Sequence, residues 1–190
     1  MNLKKLLAVL GIAASMGLAR VSHAAEPFVK GLDTYFTYVP ATEGTVDKSL
    51  RVDVSGQEVT IHAMGRGNEL MVVMEGARES RPVVYRETWS QGDEYLVAVH
   101  DFSGDGVPEI LVAVRGNDHL SVRILDLRSG GKTVLGEMVS QGHGIREARV
   151  FRQAVTMKCP QNNVLYTWTC HNGAFDFLSS DHRDNPADLL

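Results

Sequence analysis

The 190-residue sequence has only two cysteines. It has no run of basic residues and, beyond its amino terminus, no apolar stretch long enough to cross a bilayer. Each shortage excludes something. No CxxC or HxxxH accompanies Cys159 and Cys170, which argues against a zinc site. A membrane-spanning helix needs about 20 predominantly apolar residues, so no span is expected once the amino-terminal segment is removed. With no basic run and a net charge of −4, nucleic acid and anionic lipid are poor partners. Also missing are a Gly-x-Ser-x-Gly elbow, an HExxH pair and a phosphate-cradling glycine loop opening a helix. The expectation is therefore a binding protein and not an enzyme. No internal repeat of the length used by solenoids or propellers is present.

What is present begins with an address. Lys4 and Lys5 precede an apolar or small-residue stretch from Leu6 to Ala19, and Ser22-His23-Ala24 follows. A charged start, a short apolar core and small residues at the cleavage positions make a secretory signal peptide over 1–24, cut before Ala25. Arg20 ends the apolar stretch too early for a membrane anchor. The segment holds three basic residues and no acidic ones, so its removal takes the net charge from −4 to −7. The mature protein is expected in a periplasm or outside the cell. A single β-rich domain is expected over 25–179, followed by a polar, loosely ordered tail over 180–190.

Apolar residues recur with period two almost throughout. Leu50, Val52 and Val54 alternate with polar residues, and Val59 and Ile61 follow a Ser55-Gly56 turn. Further strands are expected over 69–75, 82–89, 94–100, 109–115, 120–127 and 133–139. Others follow over 147–159 (bent in the middle), 164–170 and 174–178. Turn signals such as Gly92-Asp93, Gly116-Asn117-Asp118 and Asn172-Gly173 separate them. The only helical candidate is 145–151. The pattern predicts an all-β antiparallel sandwich or barrel of about a dozen short strands.

The two cysteines pose a conflict. An oxidising compartment favours a Cys159–Cys170 disulfide, and that pairing is the expectation. Yet a tight hairpin turning at residues 160–163 would set Cys159 opposite Val164. Cys170 would then lie six residues along the strand, about 20 Å away. A disulfide tolerates only about 4.4–6.8 Å between α-carbons.

One motif carries specific chemistry. Residues 101–109 place oxygen-bearing side chains at loop positions one, three, five and nine: Asp101, Ser103, Asp105 and Glu109. Gly106 allows a sharp turn, and the Val107 carbonyl can supply a further ligand. Hard oxygens at this spacing suit Ca²⁺, and clustered carboxylates repel one another without a cation. An EF-hand is excluded because Val112 stands where its bidentate glutamate belongs and the flanks read as strands. The stretch HDFSGDGVPEILVAV resembles the calcium loop of FG-GAP (integrin-type) and VCBS repeats. That resemblance implies a β-loop-β calcium site, but one copy does not carry over the family's propeller. The later LYTWTCHNGAFDF is similar to the ending of small secreted β domains with such a loop.

The six histidines of the mature chain are scattered. His143 stands out because Gly142 and Gly144 flank it in a loop joining two expected strands. Gln141 and His143 are therefore candidate contacts for a protein partner. In size, export and fold class the chain looks like periplasmic inhibitors of lysozyme and other peptidoglycan hydrolases. Immunity proteins against secreted antibacterial effectors share that build. The resemblance implies a calcium-binding inhibitor module with a peptidoglycan hydrolase as partner. The alternative is a calcium-stabilised structural or adhesion module of the cell envelope.

Overall fold

A computed structural model describes residues 27–39, 47–54, 56–66, 69–76, 83–88, 90, 92–129, 133–142 and 144–181. The expected signal peptide and the tail from 182 onward lie outside the described residues. Among the described residues there are fourteen strands and no helix, so the chain is all-β as expected.

The strands form three sheets. A central sheet runs in the order β10 (Val134–Gln141), β9 (His119–Leu125), β8 (Glu109–Arg115), β7 (Glu94–His100) and β2 (Thr34–Tyr38). The second is a meander of β3 (Asp47–Val54), β4 (Gln57–Arg66), β5 (Glu69–Gly76) and β6 (Val83–Thr88), inserted between β2 and its partner β7. The third runs β1 (Val29–Lys30), β11 (Ala148–Phe151), β12 (Ala154–Lys158), β13 (Leu165–His171) and β14 (Ala174–Asp181). Among the described residues only the pairing of β1 with β11 is parallel.

The central sheet is apolar on both faces, and this decides the layering. In β7, Leu96 and Ala98 face one core while Tyr95, Val97 and Val99 face another. In β8, Leu111 and Ala113 face the first core, and Ile110, Val112 and Val114 face the second. The first core is completed by residues such as Val150, Val155 and Met157 of the third sheet. The second is completed by Val59, Ile61, Val72 and Tyr85 of the inserted meander. Successive side chains of a strand point to opposite faces, so an unbroken apolar run is what a strand buried on both faces requires. The Tyr95–Val99 and Ile110–Val114 runs are such stretches.

The β12–β13 pairing resolves the cysteine conflict. Val155 lies opposite Trp168 and Lys158 opposite Leu165. The Cys159 amide donates to the Val164 carbonyl at 2.8 Å, and the Asn163 amide to the Cys159 carbonyl at 3.0 Å. The tight hairpin is therefore formed, and the expected Cys159–Cys170 disulfide is not: both residues are buried thiols. The reason is register. Cys170 sits at the far end of β13, where its amide donates to the Gln153 carbonyl at 2.8 Å. Six residues of extended chain separate it from the position opposite Cys159, about 20 Å.

Three boundaries also differ from expectation. The bend within 147–159 is a two-residue turn at Arg152-Gln153 joining β11 to β12, with Arg152 at φ 51°. The helical candidate 145–151 is instead occupied at its end by β11, whose Ala148 and Val150 face the core. The last strand runs to Asp181, past the expected domain limit at 179.

Candidate metal centre

The 101–109 loop joins β7 and β8, both buried on both faces. Their register closes on the pair His100–Glu109, so the loop's ends are fixed by a hairpin whose strands are buried almost throughout. Phe102 anchors its first turn. The ring is fully buried and packs edge-on against Phe175 at 5.2 Å and against His100 at 4.7 Å between centroids.

The carboxylates are aimed by backbone amides. Asp101 accepts from the Gly104 amide at 2.7 Å through Oδ1 and from the Gly106 amide at 2.8 Å through Oδ2. Both glycines are left-handed, at φ 75° and 83°, which turns their amides inward at no steric cost. Asp105 accepts from the Val107 amide at 2.9 Å. Glu109 accepts from the Phe102 amide at 2.8 Å. The Ser103 hydroxyl donates to Asp101 at 3.3 Å, and the Ser103 carbonyl accepts from the Gln153 amide group at 2.9 Å.

One oxygen each from Asp101, Asp105 and Glu109 lie within 4.8 Å of one another. Calcium binds oxygens at 2.3–2.6 Å, so two ligands of one ion can be no further apart than roughly 4.6–5.2 Å. The structure thus brings together three of the expected ligands at a separation one ion could bridge. Ser103 and Val107 line the same loop, partly buried.

The sequence does not disclose two supports. Arg128, in the turn after β9, pairs with Asp105 Oδ2 and lies 3.7 Å from Asp126. This guanidinium and the inward amides offset carboxylate repulsion, so crowding alone does not demand a metal. The β11–β12 turn clamps the loop from the other side: Gln153 holds Ser103, and His100 Nε2 meets the Arg152 carbonyl at 2.9 Å. Neither contact has a local signal, since the partners are 23 to 52 residues apart.

The loop's acids are tuned in opposite directions. Burial pushes the Glu109 carboxyl above the usual carboxylate range, and the Phe102 amide only partly offsets it. The Val107 amide, helped by Ser103 and Arg128, holds exposed Asp105 below that range. For Glu109 the folded state holds its proton more tightly than the unfolded chain. Its charge therefore costs stability as pH rises through the folded pKa, and the cost vanishes as pH falls below the unfolded value. In chelator, Glu109→Gln should melt no lower than the parent near neutral pH and should flatten this part of the pH–stability curve. A large loss of stability in chelator would show that the charged carboxylate is needed even without an ion.

Of the candidate partner contacts, Gln141 is the last residue of β10, opposite His119. His143 lies outside the described residues. Burial raises the Cys170 thiol, as does the nearby Glu109 charge, which is the opposite of what a thiolate nucleophile needs. Neither a known family, nor a curated protein, nor a solved structure matches the chain.

Proposed function

We propose that the chain is an exported β-domain that holds calcium in its 101–109 loop and acts by binding, as an inhibitor of another protein. The observation that carries the calcium reading is the meeting of Asp101, Asp105 and Glu109 within 4.8 Å, on a hairpin buried on both faces. A rigid scaffold with a cation-set loop suits a protein that works by surface. Contact surface is available along the outer strands: Val139 of β10 and Phe177 and Leu178 of β14 are 50%, 54% and 53% exposed.

The candidate partner is a peptidoglycan hydrolase, with Gln141 and His143 in contact with it. A net charge of −7 without the amino-terminal 24 residues would accelerate encounter with a basic muramidase. The test is inhibition of a panel of peptidoglycan hydrolases by the purified chain. Inhibition of one, weakened at least about tenfold by His143→Ala without a change in melting temperature, is the expected result; a lost hydrogen bond to a charged group accounts for that size. If no hydrolase is inhibited and no partner co-purifies, the inhibitor reading gives way to a structural or adhesion module.

A further inference from the structure

The third sheet is buried on the face that points away from the first core. Val155 and Met157 of β12 and Cys170 of β13 lie in that core, with Tyr166 and Trp168 packed against it. Alternation sends their neighbours Ala154, Thr156, Leu165, Thr167 and Thr169 to the outer face. Lys30, Arg149, Thr156 and Thr167 form one row across it, and Ala154 stands opposite Thr169. An antiparallel sheet with one face on a core commonly leaves the other in water. Here Ala154 and Thr167 are 1% exposed, and Thr156 and Leu165 are 3% exposed. Ala154 and Leu165 are apolar, yet they belong to neither core. The hydroxyls of Thr167 and Thr169 are buried as well, and neither has a hydrogen-bond partner. The face is therefore covered, and among the described residues neither packed core supplies the cover.

The chain holds a segment placed to do so. β14 ends at Asp181, which stands opposite Leu165, and residues 182–190 follow directly. Nine residues reach at most about 30 Å. From Asp181 back to the level of Thr169 is four residues of strand, about 14 Å, so the segment is long enough to return across the whole face. It reads His-Arg-Asp-Asn-Pro-Ala-Asp-Leu-Leu. Asn185-Pro186 is a turn signal, and Ala187, Leu189 and Leu190 offer apolar side chains to cover Ala154 and Leu165. A backbone laid over β13 also brings carbonyls within reach of the Thr167 and Thr169 hydroxyls, which a purely apolar cover would leave unsatisfied.

We propose that residues 182–190 turn back at the end of β14 and dock on the outer face of β12 and β13. The docked segment is a built-in strap. While it is in place the face is closed to other molecules, and its removal uncovers Leu165, Thr167 and Thr169. The proposal is independent of the calcium loop and of the inhibitor reading.

The test is methyl NMR of the exported chain, Ala25 to Leu190, labelled at its leucine and threonine methyls. The expected result is a nuclear Overhauser contact from Leu189 or Leu190 to Leu165, Thr167 or Thr169. A chain ending at Asp181 should lose that contact and shift the methyl resonances of these three residues, while Leu96 and Leu111 of the first core keep theirs. The double variant Leu189→Asp, Leu190→Asp should do the same in the otherwise complete chain, and it reports if the shortened chain fails to fold. No contact from residues 182–190 to this face overturns the proposal, and so does a contact to it from any other segment. Leu165, Thr167 and Thr169 resonances that move with protein concentration place a second copy on the face, which overturns it too.

Discussion

Phe102→Ala should lower the unfolding free energy by about 3–5 kcal/mol, the usual loss for a fully buried phenylalanine. The ring is completely enclosed in the core between the central and third sheets, against Phe175 and His100. Its removal leaves a cavity at the base of the 101–109 loop. The Phe102 amide also holds Glu109 Oε2, so a shift of this residue moves a ligand oxygen. Calcium affinity should therefore fall together with stability, although no ligand side chain has been touched. Urea unfolding in chelator measures the first effect, and calcium titration well below the transition measures the second. A loss under about 1 kcal/mol would mean that the loop is anchored elsewhere, with Gln153 and His100 the remaining holds.

Saturating calcium should raise the melting temperature of the parent chain, and Asp105→Ala should remove the effect. A ligand that binds only the folded state adds about 2.7 kcal/mol when present at one hundred times its Kd. For a chain of this size that corresponds to roughly 5–10 °C. Asp105 is the informative position because it is exposed. Its carboxylate meets the Val107 amide, the Arg128 guanidinium, the Ser103 hydroxyl and the ligand position. Asp101 holds the Gly104 and Gly106 amides, so its loss would collapse the loop with or without an ion. Asp105→Ala should accordingly melt close to the parent in chelator and differ from it only in calcium. A parent chain whose melting is the same in calcium and in chelator would remove the cation from the proposed function.

Most strands are legible in the sequence, for a specific reason. Between the turns the residues alternate, and eleven of the expected segments coincide with or overlap β3 to β14. The first two strands were not anticipated. β1 is two residues long and pairs only through a parallel contact with β11, more than a hundred residues away. β2, Thr-Tyr-Phe-Thr-Tyr, does not alternate cleanly, and its partner β7 lies beyond the whole inserted meander. The helical candidate at 145–151 failed because Ile145, Ala148 and Val150 fit a helical stripe loosely, while their burial comes from a sheet edge. The loop itself was readable, because its ligands fall within nine consecutive residues.

By itself the sequence determined the all-β class, the hairpin turns and the spacing of Asp101, Ser103, Asp105 and Glu109. These depend on residues near one another in the chain, where side-chain alternation and turn preferences act directly. Only the tertiary structure decided what lies across the sheets. It buried β7 and β8 on both faces and made three layers. It set Arg128 against Asp105 and placed Lys30, Arg149 and Thr156 in one row. It also chose the β12–β13 hairpin over the disulfide. An eleven-residue separation in sequence leaves the distance between two cysteines open, and the hydrogen-bond register closes that question by holding Cys159 and Cys170 at opposite ends of one strand pair.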